Sequence, residues 1–356
     1  MRKGIIVSAG GTGGHIVPAL ALADEFLKQG YKVSYIGNKG GMEERLAKDK
    51  GLEFYPIDVQ KLYRNFTFQH LKFPFKLLKS IIQAYRIIKR IDPILLIGTG
   101  GFVCGPVGLA AILSKTPLFI QEQNSFPGIT TRALSIYAKR VYLGNAGADK
   151  FFKRDNTMFS GNPIFKDKLT GNDKIDFEEY GLTKEARKLL IIGGSQGSQF
   201  LNELVLKNLD FLQEKGIELI WQSGKNNLEK IKMQIGNKKG IYLFGFTNEM
   251  PSIYNSVDFA ISRCGALVLA ELEVKKIPSI LIPLPSSAGN HQYQNALDFQ
   301  ERGLGLLLEQ RNVSDFQELF NQMLETEADN RKNFKEALHL QAAEMIFKDI
   351  MNRFNE

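Results

Sequence analysis

Several things are scarce in this sequence, and each absence excludes something. Two cysteines, Cys104 and Cys264, stand among 356 residues. That is too few for a disulfide framework and fits a reducing compartment. No secretory leader is evident, because the start MRKGIIVSAGG is basic but its apolar run is too short. No glycine loop is followed by G-K-[ST], which argues against a P-loop. The second expected strand ends at Asn38 instead of the acidic residue that would hold a dinucleotide ribose, which disfavours a nicotinamide cofactor. Residues 94–114 lack charge over 21 positions, long enough to span a bilayer, yet they hold five glycines and Pro106 and read as strand, glycine loop and helix. Acidic residues are missing between positions 61 and 90, where Lys61, Arg64, Lys72, Lys76, Lys79, Arg86, Lys89 and Arg90 fall. Those eight charges equal the net charge of the whole chain, +8, and point to an acidic partner surface.

What is present is a repeated alternation. Short apolar runs such as KGIIVSA, KVSYIGN, ILLIGTG and PLFIQEQN are separated by amphipathic helical patterns, beginning with PALALADEFLKQG. After Arg187 the theme restarts with KLLIIGGSQGSQFLNELVLKNL and continues through ELIWQSG, IYLFGF, DFAISRCG and PSILIPLP. Strands alternating with helices predict parallel sheets with crossover connections. The chain is long enough for two such domains, and its 44% hydrophobic content supplies two cores. The turn signal in FSGNPIF, followed by a polar run, sets the boundary. The expected division is 1–162, 163–335 and a C-terminal helix over 336–356 that packs back on the first domain.

Three glycine loops follow strands: Gly10 to Gly14, the stretch GTGGFVCG from Gly98 to Gly105, and GGSQG from Gly193 to Gly197. Such a loop offers unencumbered backbone N–H groups beside a helix N-terminus, which suits a phosphate. The competing explanation is a tight turn that needs positive φ or close packing. All three lie where open α/β sheets bind ligands. Two such domains suggest a sugar nucleotide, with its pyrophosphate on one glycine loop and sugar and acceptor on the other domain.

The stretches GGTGGH, QEQNSFPG, SGNP, GGSQGS, SRCGALVLAE and NHQYQNA occur in this order over nearly the whole chain. Together they resemble the MurG family of bacterial N-acetylglucosaminyltransferases, family 28 enzymes. The resemblance implies an α/β GT-B fold, two Rossmann-like parallel-sheet domains facing across a cleft. It implies inverting transfer of GlcNAc from UDP-GlcNAc to the C4 hydroxyl of the N-acetylmuramoyl unit of lipid I, giving lipid II for peptidoglycan synthesis. It further implies no cofactor and no metal, other cell-wall synthesis and division proteins as partners, and a peripheral place on the cytoplasmic face of the plasma membrane. The rivals are a transferase of the same fold acting on another lipid, and a nucleotide-sugar-binding regulator without catalysis.

His15 opens a helix directly after the first loop. A helix N-terminus disfavours the imidazolium, and a neutral ring can take a proton from an attacking hydroxyl. A ring that only caps or packs is the alternative. Glu122, at a strand end, would orient His15 or replace it as base. The resemblance places Thr12, Gly13, Gly14 and Asn124 with the UDP-GlcNAc site, although loop capping would also explain Asn124. Ser195 and Gln196 would meet the diphosphate, unless the serine is simply a helix N-cap. Glu271 would accept both ribose hydroxyls; without the resemblance it reads as a solvated helix carboxylate. Ala266, Leu267, Val268, Leu269 and Ala270 would line the nucleotide. Thr247 matches a position whose backbone meets uracil, and Gln292 one that contacts the donor. His291 and Asn295 are neighbours without an assigned role. The family's arginine after G-N-P is replaced by Phe165, and Lys166 would point the other way in an extended segment.

The stretch LKFPFKLLKSIIQAYRIIKR carries Phe73, Phe75, Lys76 and Lys79 on a basic amphipathic pattern. This suits a helix lying on an anionic membrane surface. A helix packed inward with a basic outer face is the alternative. No nucleic-acid motif accompanies it, so no nucleic-acid partner is expected.

Overall fold

The computed structural model describes residues 4–60, 69–194, 196–334 and 337–355. The chain forms two compact units, one of residues 1–165 with 338–356 and one of residues 166–337.

The first unit is built on seven strands: β1 (Ile5–Ser8), β2 (Val33–Asn38), β3 (Glu53–Ile57), β4 (Leu95–Gly98), β5 (Leu118–Glu122), β6 (Arg140–Leu143) and β7 (Thr157–Phe159). Its connections carry α1 (Gly13–Lys28), α2 (Met42–Asp49), α3 (Gln69–Ile91), α4 (Cys104–Ser114) and α5 (Ile129–Ser135). The spatial order β3-β2-β1-β4-β5-β6-β7 reverses direction between β1 and β4, and every pairing is parallel. The central strands are Val/Ile/Leu runs because both sheet faces are covered. Alternation splits β1 between the two layers. Ile5 and Val7 pack with Phe26 of α1, while Ile6 packs with Ala84 and Ile88 of α3 and Val107 of α4. The uncharged stretch at 94–114 is β4, a loop and α4.

The second unit repeats the winding. Its strands are β8 (Arg187–Ile192), β9 (Ile217–Gln222), β10 (Ile241–Phe244), β11 (Phe259–Ser262), β12 (Ser279–Leu281) and β13 (Gly305–Leu307). Its helices are α6 (Lys166–Leu169), α7 (Gln199–Lys207), α8 (Leu209–Glu214), α9 (Leu228–Ile235), α10 (Met250–Tyr254), α11 (Ala266–Val274), α12 (His291–Glu301), α13 (Phe316–Glu325) and α14 (Glu327–Asn333). The order β10-β9-β8-β11-β12-β13 reverses between β8 and β11. Trp221 is fully buried, its Nε1–H donating to Asn202 Oδ1 at 2.9 Å.

The last helix, α15 (Ala342–Asn355), belongs to the first unit. Phe347 meets Phe26 edge-on at 5.0 Å, and the Tyr142 hydroxyl donates to Asp349 at 2.8 Å. Phe165 is partly buried in the same cluster, with Lys50 Nζ 4.5 Å over its ring. The apolar ring at the usual arginine position is therefore packed into the first unit. The extended continuation expected for Lys166 is not found, since this exposed lysine opens the single turn α6.

Candidate active site

In the first unit, the loops after β1 and β4 meet at the switch point. A Cβ on Gly101 would lie 1.9 Å from the Gly10 carbonyl oxygen, and one on Gly10 would lie 2.2 Å from Val103 Cγ2. A Cβ on Gly100 would strike the His15 ring at 2.5 Å. These glycines are required by loop-on-loop packing. Gly13 differs, because nothing lies within 4 Å of its missing Cβ. The first turn of α1 is thus the open part of the loop. The Thr12 hydroxyl makes no capping bond to the helix and lies 3.4 Å from His15 Nδ1. The Thr99 hydroxyl donates to the His15 carbonyl at 2.7 Å and fixes the backbone that carries the ring.

Glu122 is buried at the end of β5, and its partners are all in the loop that follows. Oε1 accepts from the Asn124 N–H at 3.1 Å and the Asn124 side-chain amide at 2.9 Å, and Oε2 accepts from the Gly128 N–H at 3.1 Å. This carboxylate orders the start of α5, and no hydrogen bond joins it to His15 among the described residues. Beneath it lies a buried polar network that the sequence did not reveal. Gln123 donates to the Thr99 carbonyl at 2.7 Å, Gln121 to Asn162 Oδ1 at 3.1 Å, and the Asn162 N–H to His339 Nδ1 at 2.8 Å. Gln121, left without a role above, belongs to this network. So does the SGNP motif, which meets the returning chain there. A second unforeseen group is Glu43, 1% exposed, whose Oε1 accepts from the Asn38 N–H at 3.0 Å and would lie 2.7 Å from a Cβ on Gly10.

In the second unit the loop after β8 curls tightly. A Cβ on Gly193 would lie 2.4 Å from the Ser198 nitrogen, and one on Gly197 would lie 2.2 Å from the Ser223 carbonyl. Gly194, at φ +82°, has open space. The helix N-cap is Ser198, whose Oγ accepts from the Leu201 N–H at 3.4 Å. Ser195 lies outside the described residues, and Gln196 is exposed. After β10, the Thr247 hydroxyl accepts from the Glu249 N–H at 3.0 Å and shapes the turn into α10.

Gly265 precedes α11, with nothing near its missing Cβ. Leu267, Leu269 and Ala270 turn into the core, while Ala266 and Val268 stay partly exposed with Glu271. Only backbone from the first three could meet a ligand. Glu271 is no solvated carboxylate: burial pushes its pKa up to about 7, and the buried Tyr254 hydroxyl donates to Oε2 at 2.8 Å. Gln292, in the first turn of α12, accepts from the Cys264 N–H at 3.2 Å and the Leu284 N–H at 2.9 Å through one oxygen. Its Nε2 amide has no partner among the described residues. Asn295 donates to the Cys264 carbonyl at 3.2 Å, locking α12 to the loop after β11. Arg263, missed in the sequence, is 7% exposed at the end of β11, and burial lowers its pKa. Among the described residues no cluster of three or more His, Cys, Asp or Glu side chains suits a metal ion.

The basic helix α3 presents two apolar stripes. Ala84 and Ile88 are buried in the core with Ser80, whereas Phe75, Leu78 and Ile82 are exposed, Phe75 at 77%. Phe73 is partly buried, Lys76 is exposed, and Lys79 pairs with Asp58 at 3.0 Å. Leu109 and Leu113 on α4, and Ile129 on α5, are exposed as well. No helix among the described residues is long and apolar enough to cross a membrane.

Comparison with known proteins accounts for both halves. Residues 5–143 match the glycosyltransferase family 28 N-terminal domain, and residues 188–354 match the family's C-terminal domain. The chain is 38% identical over 315 residues, 88% of each chain, to the UDP-N-acetylglucosamine--N-acetylmuramyl-(pentapeptide) pyrophosphoryl-undecaprenol N-acetylglucosamine transferase of Clostridium botulinum strain Langeland. It is 35% identical to the protein of the same name from Flavobacterium psychrophilum, covering 97% of this chain and 96% of that one. The crystal structure of Acinetobacter baumannii MurG superposes with a TM-score of 0.76 at 28% identity, covering 98% of this chain and all of that one. A calicheamicin glycosyltransferase at 14% identity and a TM-score of 0.75 shares the fold. The chain belongs to glycosyltransferase family 28 and has the GT-B fold.

Proposed function

We propose that this chain transfers N-acetylglucosamine from UDP-GlcNAc to the C4 hydroxyl of N-acetylmuramic acid in lipid I, forming lipid II with inversion. The observation that carries the reading is likeness of 35–38% over 88–97% of the chain to transferases named for that reaction. The second unit offers what a nucleotide sugar needs. Its open glycine Gly194 and the N-terminus of α7 suit a diphosphate, Glu271 suits a ribose diol, and Gln292 keeps a free amide donor. The first unit offers His15 beside the open turn at Gly13. In this reading the acceptor hydroxyl passes its proton to the neutral imidazole as the oxygen attacks the anomeric carbon and UDP departs. Glu122 holds the Asn124 loop and serves as a positioning residue. Backbone donors meet the diphosphate, so turnover persists in EDTA. The exposed apolar stripe of α3, with Lys76 beside it, rests on an anionic membrane at its cytoplasmic face.

The test is UDP release from UDP-GlcNAc with and without a short-chain lipid I analogue, run with His15→Ala in parallel. Release that requires the analogue and falls strongly in the variant supports the reading. Donor binding without acceptor-dependent release would favour a regulator that has lost catalysis.

A further inference from the structure

Arg263 lies directly after β11, beside the switch point of the second unit, and is 7% exposed. Every acceptor around its guanidinium is neutral. Nε and Nη2 donate to Ser198 Oγ at 3.1 and 2.8 Å, and Nη1 donates to the carbonyls of Ile282 at 3.0 Å and Pro283 at 3.2 Å. The side-chain oxygen of Gln310, oriented to satisfy both groups, accepts from Nη1 and Nη2 at 2.8 Å. The plane lies 5.6 Å from the Phe200 ring centre. No carboxylate pairs with it among the described residues. Burying an unpaired cation is costly, and a neutral side chain could bridge these loops without that cost. The position supplies a reason to keep the charge. Ser198, which accepts from the guanidinium, caps α7 and closes the glycine loop against Gly193.

We infer that Arg263 is a positioning residue for the donor: its buried charge is balanced by the diphosphate of the nucleotide sugar, and its bonds to Ser198 and the loop after β12 hold the phosphate-binding loop in shape. The inference rests on the donor reading above. It separates charge from scaffolding. A neutral replacement should weaken ligands that carry phosphate and spare those that do not.

The experiment is calorimetric titration of the full chain with UDP and with uridine, for the unaltered protein, Arg263→Met and Arg263→Lys, together with thermal melts with and without UDP. Lys188→Met is the comparison. Lys188 is a buried cation at the opposite end of β8, bonded through Nζ to the carbonyls of Thr183, Lys184 and Ala186. Arg263→Met should weaken UDP by about tenfold or more, change uridine affinity little, and shrink the UDP-induced rise in Tm. Arg263→Lys should retain part of the UDP preference, and Lys188→Met should leave the ratio of UDP to uridine affinity unchanged. Equal binding of UDP by Arg263→Met, or equal proportional loss of UDP and uridine, would overturn the inference. If Arg263→Met does not fold, the same ratio measured on Arg263→Gln decides: a larger fall in UDP affinity than in uridine affinity supports a requirement for charge, and proportional loss of both ligands refutes it. Failure of the unaltered chain to bind UDP would overturn the donor reading itself, and this inference with it.

Discussion

Glu271 permits a test in which sign and size are both set by the structure. Burial raises its pKa to about 7, and the Tyr254 hydroxyl works in the opposite direction. In the donor reading this carboxylate accepts two ribose hydroxyls, which the ionised form does with both oxygens. Binding is then linked to release of one proton. Affinity must rise with pH through neutrality and level off above it. With half-ionisation near 7, about one carboxyl in eleven is ionised at pH 6 and about ten in eleven at pH 8, so Kd should fall about tenfold between them. At the ordinary value of 4.5 the group would be ionised throughout, and the profile would be flat. The ligand should be UDP-GlcNAc, because the terminal phosphate of UDP itself titrates near pH 6. Titration calorimetry at pH 6, 7 and 8 gives the answer. Glu271→Gln should bind weakly with no such slope, and Tyr254→Phe should move the rise to higher pH. A flat profile for the unaltered chain would refute the linkage.

The same shift has a cost for the free protein. A carboxyl whose pKa is raised by folding supports stability fully at pH below about 4.5, and that support is lost as pH rises through about 7. The loss approaches roughly 3 kcal/mol at most. Ligand-free Glu271→Gln should therefore melt above the unaltered chain at pH 8 and close to it at pH 4.5, whereas UDP-GlcNAc should stabilise the unaltered chain more.

Three further outcomes are expected. His15→Ala should lower acceptor-dependent UDP release by roughly 10²–10⁴ while leaving the Kd for UDP-GlcNAc within about twofold, read by steady-state kinetics beside calorimetry. Gly101→Ala should cost roughly 2 kcal/mol or more, because it places a methyl against the Gly10 carbonyl at φ +80°; Gly13→Ala should preserve or raise Tm and still impair turnover, a combination that chemical denaturation and the release assay together resolve. Phe75→Ser with Lys76→Glu should reduce co-sedimentation with phosphatidylglycerol vesicles, and Lys79→Glu alone should do less because that lysine is already paired with Asp58; unchanged sedimentation of the double variant would remove α3 from the membrane reading.

Periodicity made the architecture legible before any coordinates, since buried parallel strands announce themselves as uninterrupted Val/Ile/Leu runs and the crossover helices as amphipathic ones. What stayed hidden depends on partners distant in sequence. Phe165 reads as a lost arginine until it is seen packed against the apolar cluster to which α15 also contributes. Ser195 and Ser198 are equally good caps on paper, and it is Ser198 that caps α7. Glu122 looks free to act as a base until the loop six residues on is seen to donate to it.

The glycine loops show the limit most clearly. In sequence they are alike, and all three look built for phosphate. In space, Gly10, Gly100, Gly101, Gly193 and Gly197 are fixed by sterics, and of the glycines in these loops only Gly13 and Gly194 have nothing within 4 Å of where a Cβ would stand. The surroundings differ further. The first loop lies against the buried carboxylate of Glu43, and the third is closed by a serine bonded to the buried guanidinium of Arg263. The buried guanidinium attracts an anion, with little water to screen it. Depth and neighbours, which composition does not record, thus set the third loop apart from the first.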